Sequence, residues 1–254
     1  MAPTLLRVDG VAKHFGGVAA VDGVSFEVNN GEIVGLIGPN GSGKTTLFNC
    51  VTGYLHPEPP SRVEWKGRNI VGCRPDEIAR LGIVRTFQDA RVFRAMSVME
   101  GLLMAIQQHQ EDRLWPRFFK TRAIRDSEAD AQGRAARLLD MIGLSRFADA
   151  PIGTLSYGQR KLFILIAALM PMPDIVLLDE PVAAVNPVMI DHIKGYVQEL
   201  NRQGMTFLLI EHNMDVVMDI CHRVVVLDHG LKIAEGTPDV VRNDNRVIDA
   251  YFGV

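Results

Sequence analysis

The sequence predicts an α/β protein built on a mostly parallel sheet, with an antiparallel β subdomain and an inserted α-helical subdomain. Three observations carry this. The apolar runs 33–37, 175–178, 207–210 and 224–227 are continuous, and helical stretches lie between the later ones, as for strands buried on both faces of a parallel sheet. Val24-Ser25-Phe26-Glu27-Val28 alternates apolar and polar residues ahead of an Asn29-Asn30-Gly31 turn, which marks a half-exposed antiparallel strand. After Gln88 the character becomes helical and stays so to about residue 165. The expected division is therefore a core of 1–88 and 166–254, with 89–165 as the helical subdomain.

In chain order, Thr4 to Val28 reads as short antiparallel strands. Ile33-Val34-Gly35-Leu36-Ile37 reads as a buried strand, and Thr46 to Thr52 as a short helix stopped by Gly53. A proline-rich connection at 57–62 leads to a strand at Val63-Glu64-Trp65 and a turn at Lys66-Gly67. Val98 to Gln107 and Ser127 to Ile142, the latter ending at Gly143, are amphipathic helix candidates. The charged segment 108–126 between them carries Trp115, Phe118 and Phe119 and has two readings, a partner-contact surface or, the favoured one, a solvated connection whose aromatics tuck back on the helices. Asp228-His229-Gly230 is a turn into a final strand, Leu231 to Ala234.

Bulk properties narrow the function classes. The 254 residues suffice for one large domain or two small ones, and the formal net charge of -3 offers no basic excess for binding nucleic acid through bulk charge. Cys50, Cys73 and Cys221 are widely spaced and read as reduced thiols, with no metal site built on cysteine. Met1 to Gly10 lacks the apolar core of a secretory signal. The longest apolar run, Leu162 to Met170, has nine residues, against the roughly 20 a membrane-spanning helix needs. The chain is expected to be soluble by itself, so that any membrane role comes through a partner.

Chemistry concentrates at a few places. Gly38-Pro39-Asn40-Gly41-Ser42-Gly43-Lys44-Thr45 fits the phosphate-cradling pattern G-x-x-x-x-G-K-[ST], set between a strand and a helix as that pattern requires. Its glycines let backbone amides close around phosphate oxygens, and the helix start adds a favourable dipole. Lys44 is placed to reach the β and γ phosphates, Thr45 to offer its hydroxyl to Mg²⁺. Asp179-Glu180 ends an apolar strand, where open α/β sheets bind ligands; one acid can hold Mg²⁺ and the other polarise an attacking water. Ser156, within Leu155-Ser156-Tyr157-Gly158-Gln159, is a natural cap for the apolar-rich helix that follows, and that helix start makes a second anion site. One chain thus carries two phosphate-binding helix starts and one full nucleotide motif, which suggests that the second serves a nucleotide held by another subunit. Gln88 and His212 each follow a strand-like run and are weak signals alone.

Taken in order, these motifs resemble the ATP-binding subunits of ABC transporters over nearly the whole chain. Phe15-Gly16-Gly17 matches that family's aromatic loop, which stacks on adenine. Residues 38–45 with Thr46 match the Walker A loop and helix start, Gln88 the Q-loop glutamine, and Leu155 to Gln159, with Ser156, Gly158 and Gln159, the signature. Ile175 to Glu180 match the Walker B strand, Ala184 to Pro187 the D-loop and His212 the switch histidine. Arg85-Thr86-Phe87-Gln88, the tyrosine-bearing signature, Glu211-His212-Asn213-Met214 and Ala250-Tyr251-Phe252-Gly253 are similar to the branched-chain amino-acid importer subgroup. The D-loop, Ala183-Ala184-Val185-Asn186, departs from the subgroup's usual glycine before leucine, and Phe15 stands where tyrosine is commoner.

The resemblance implies a P-loop NTPase core and an ATPase with ATP and Mg²⁺ as cofactors. In it Glu180 is the catalytic base, Asp179, Gln88 and Thr45 serve the metal, His212 senses the γ phosphate and Ser156 acts on a partner's nucleotide. It further implies a second ATPase subunit, identical or paralogous, hydrophobic permease subunits, an indirect link to a solute-binding protein, and a place on the cytoplasmic face of the plasma membrane. Two other readings share the nucleotide motifs: the ATPase of a lipid or polysaccharide exporter, and a soluble ATP-driven switch.

Overall fold

The computed structural model describes residues 2–86, 94–106 and 122–252, arranged in two compact units, 1–88 with 174–254 and 89–173. Gln88 and the segment 108–121 with its three aromatics lie outside the described residues. Among the described residues the first unit holds two sheets. Strands β1 (Thr4–Phe15), β2 (Val18–Asn29), β4 (Arg62–Trp65) and β5 (Arg68–Asn69) form an antiparallel sheet in the order β2-β1-β4-β5. Strands β3 (Ile33–Ile37), β6 (Ile83–Arg85), β7 (Ile175–Asp179), β8 (Thr206–Ile210), β9 (Arg223–Asp228) and β10 (Leu231–Gly236) form the second, ordered β10-β9-β3-β8-β7-β6. Pairing in the second sheet is parallel except between β9 and β10, which the short 228–231 turn joins as a hairpin.

The apolar runs occupy the positions their composition demands. Every residue of β3, β7 and β8 is buried. One face of these strands and of β9, including Leu36, Leu177, Leu208 and Leu227, shares a core with Leu6, Val8 and Phe26 of the antiparallel sheet. Leu47, Phe48 and Val51 of α1 (Lys44–Val51) join the same core. The other face meets α7 (Met214–Ile220), where a Cβ on Gly35 would lie 2.9 Å from Cys221 Sγ and 3.2 Å from Val217. Glycine at 35 lets the helix seat on the strand.

Several short elements carried no clear sequence signal: α2 (Pro75–Arg80), α8 (Pro238–Arg242) and α9 (Asn245–Phe252). The helix α6 (Pro187–Arg202) begins with Asn186 accepting from the Met189 amide at 2.9 Å and Pro187 in its first turn, a standard helix start.

The second unit contains α3 (Val98–Ala105), α4 (Arg122–Met141) and α5 (Tyr157–Leu169). α3 opens with a capping box between Ser97 and Glu100. Gly101 permits a close helix approach, because a Cβ there would stand 2.6 Å from Ile152 and 2.9 Å from Phe163. The compact unit 89–173 takes α5 whole and ends at Pro173.

Candidate functional site

The loop between β3 and α1 is shaped by glycines that accept no substitute. Gly38 has φ +150° and a Cβ there would fall 2.0 Å from the Leu227 carbonyl; Gly43, at φ +99°, would put one 2.2 Å from the Ala20 carbonyl. Both neighbours are backbone atoms, so neither can step aside. The Gly230 amide donates to the Ser42 carbonyl at 3.2 Å, pinning the β9–β10 turn to the loop. Lys44 is buried within the loop, its ammonium donating to the carbonyls of Gly38 and Pro39 at 2.8 Å and to Ser42 Oγ at 3.3 Å. Burial pushes its pKa down, and the Glu180 carboxylate opposes that shift. Asn40, Gly41 and Thr45 are exposed, and Pro39 and Thr46 half-buried, so the loop's rim is open to a ligand.

The acids come from strand ends. Asp179 is the last residue of β7, and its Oδ2 accepts from Arg85 Nη2 at 2.7 Å in a nearly dry pair, with side chains 11% and 6% exposed. Arg85 also donates to Asn49 Oδ1 at 2.7 Å, which ties β6, β7 and α1 together. Glu180 follows at φ +48°, a left-handed conformation uncommon outside glycine, with its amide donating to the Ile210 carbonyl at 3.0 Å. His212 Nε2 lies 3.0 Å from Glu180 Oε1.

Glu211 carries no functional signal of its own in the sequence. It is 2% exposed, and its carboxylate accepts from the amides of Val182 at 2.9 Å, His212 at 3.0 Å and Asn213 at 3.3 Å. Burial raises its pKa although these three amides hold it down. It thereby fixes the backbone on both sides of the Glu180–His212 contact. Lys44, Asp179, Glu180 and His212 all gather in the first unit.

Ser156, Gly158 and Gln159 belong to the second unit. Ser156 Oγ accepts from the Gln159 amide at 3.2 Å, and Gln159 Oε1 from the Ser156 amide at 2.9 Å, a reciprocal capping box at an exposed helix start. Phe15, at the end of β1, is 48% exposed, with Lys13 Nζ 5.8 Å from its ring centroid.

A parallel sheet with a glycine-shaped anion loop after one strand and paired carboxylates after another defines a P-loop nucleotide-binding protein. The description "ABC transporter" fits residues 21–183 and "branched-chain amino acid ATP-binding cassette transporter" fits residues 232–254. The high-affinity branched-chain amino acid transport ATP-binding protein BraF of Pseudomonas aeruginosa is 41% identical over 254 residues, covering 100% of this chain and 99% of its own. LivG of Salmonella typhimurium is 42% identical over the same span, with coverage of 100% and 99%. The probable LivG of Methanocaldococcus jannaschii is 38% identical over 253 residues, with coverage of 98% and 97%. Among solved structures, a nucleotide-free ATP-binding cassette from an ABC transporter aligns with TM-score 0.84 and 36% identity over 98% of this chain and 99% of that one. Another ATP-binding cassette, in its ADP conformation, aligns with TM-score 0.85 and 35% identity over both full chains. The chain belongs to the ABC transporter ATP-binding family and is an ATPase. Among the described residues no helix is long and apolar enough to cross a membrane.

Proposed function

We propose that this chain is the ATP-hydrolysing subunit of an importer for branched-chain or closely related amino acids. The observation that carries the reading is full-length similarity, at 41–42% identity, to BraF and LivG, extended by the match of residues 232–254 to the branched-chain group. It works with a second ATPase subunit and with hydrophobic membrane subunits on the cytoplasmic face of the membrane, fed by a solute-binding protein.

In this reading ATP phosphates enter the Gly38–Thr45 loop and take over from the Gly38 and Pro39 carbonyls as partners of the Lys44 ammonium. Glu180 takes the proton of the attacking water as its oxygen bonds to the γ phosphorus and ADP leaves. His212, on the Glu180 carboxylate, holds that base in line, and Glu211 holds His212. Ser156, with Gly158 and Gln159, presents a helix start to the partner's nucleotide, and Phe15 offers an exposed ring for stacking on adenine.

The Thr45 hydroxyl and Asp179 carboxylate suit Mg²⁺, which favours oxygen donors, keeps waters and accepts one or two carboxylates beside phosphates. Among the described residues no three acids, thiols or imidazoles gather into a metal site, and in this reading the ion is held jointly with phosphate oxygens. The ion, when bound, neutralises charge on those oxygens. Gln88 completes this set in the proposal.

The test is to isolate the intact complex, reconstitute it, and measure ATP hydrolysis with each candidate solute and its binding protein. Stimulation by leucine, isoleucine or valine supports the reading. Stimulation by a lipid or polysaccharide alone, or a chain that co-purifies with no hydrophobic subunit, overturns it.

A further inference from the structure

Tyr251, on α9, serves no purpose in the scheme above, and its setting is unusual. Its hydroxyl oxygen is sealed from solvent and has no hydrogen-bond partner among the described residues. Native structures rarely bury a hydroxyl this way, because nothing offsets the loss of its water. The backbone amide that acts on this phenol is that of Gly38, the first residue of the phosphate-binding loop. On its Cα side Gly38 is already wedged against the Leu227 carbonyl of β9, with no room for even one carbon. α9 itself is anchored by buried Val247 and packs on β10 and α8. The loop's entry residue is therefore braced by strand β9, and its amide lies beside the buried hydroxyl of a tyrosine from the last helix.

We propose that Tyr251 is a positioning residue for the phosphate-binding loop: its hydroxyl accepts the Gly38 N–H when nucleotide settles the loop, so that α9 strengthens ATP binding. The inference rests on the ATP reading of that loop. The hydroxyl is the neutral species throughout the ordinary pH range, since burial pushes the phenol up to about 12 while the Gly38 amide pulls the other way. The contact is accordingly a hydrogen bond to a phenol and carries no charge of its own.

The decisive substitution is Tyr251→Phe, which keeps the ring and deletes the hydroxyl. The full-length chain is titrated with fluorescent mant-ATP, and its melting temperature is recorded with and without ATP. Tyr251→Phe is expected to weaken mant-ATP binding by about two- to tenfold, the worth of one hydrogen bond. Without ATP its melting temperature should match or exceed the wild-type value, because an unpartnered hydroxyl has been removed. In the assembled complex KM for ATP should rise with kcat unchanged. Unchanged mant-ATP affinity in Tyr251→Phe overturns the proposal whatever the melting temperatures. So does weakened binding accompanied by an equal loss of nucleotide-free stability, which marks a packing role. Failure of the wild-type chain to bind mant-ATP would instead sink the ATP reading itself.

Discussion

His212 Nε2 stands 3.0 Å from Glu180 Oε1, so the ends of β7 and β8, neighbours in the sheet, meet across one carboxylate. β8 lies between β7 and β3. The histidine strand thus separates the acid strand from the loop strand, and a group on it can touch both sides.

Glu180→Gln keeps the size of the side chain and removes the base. ATP binding should persist while turnover falls about 10²- to 10⁴-fold, and the ATP-bound dimer should accumulate. Phosphate release and size-exclusion chromatography with ATP measure the two effects. Hydrolysis at the wild-type rate would show that the base lies elsewhere.

Ser156 has two separable duties, and substitutions pull them apart. Ser156→Ala deletes the capping oxygen and should cost about 0.5–2 kcal/mol of stability. Ser156→Asn restores a cap with a different shape. If the hydroxyl also serves a partner's nucleotide, Ser156→Asn should regain the melting temperature and still hydrolyse ATP poorly. Full activity in Ser156→Asn would reduce the residue to a helix cap.

Arg85→Ala leaves the Asp179 carboxylate buried and uncompensated. Loss of one partner from such a dry pair typically costs about 3–5 kcal/mol. Urea unfolding should show a loss of that size, and the double variant Arg85→Met with Asp179→Leu should recover part of it. A change below about 1 kcal/mol in Arg85→Ala would mean that water reaches the carboxylate.

The three thiols should react with a disulfide reagent in two classes. Burial pushes Cys50 up to about 11 and Cys221 up to about 12, and both are largely sealed from solvent. Cys73 is partly exposed. At pH 8 the native chain should release one equivalent of thiolate chromophore quickly and the other two only on unfolding. Blocking by Cys73→Ser identifies the fast one.

Much of this was legible because single residues bear the whole physical demand. A continuous apolar run such as Ile175–Leu178 has nowhere to go but the interior of a sheet, and Gly43 stands where any Cβ would meet a carbonyl. The Ser156 and Gln159 spacing is itself a capping box, and it appears as one. What stayed hidden depends on partners far apart in the chain. Nothing near Arg85 announces that it pairs with Asp179, and Glu211 looks like an ordinary polar neighbour of His212 until three amides converge on it. Helix α9 is short and caps no apolar repeat, so its tyrosine is visible only as part of a family-like ending.

The sheet order carries a consequence for synthesis. β3 pairs on one side with β8 and on the other with β9, both encoded beyond residue 205. At the usual pace of translation that leaves the strand without either neighbour for roughly ten to thirty seconds. During that interval a nascent chain exposes an unpaired apolar strand beside an unfinished phosphate loop.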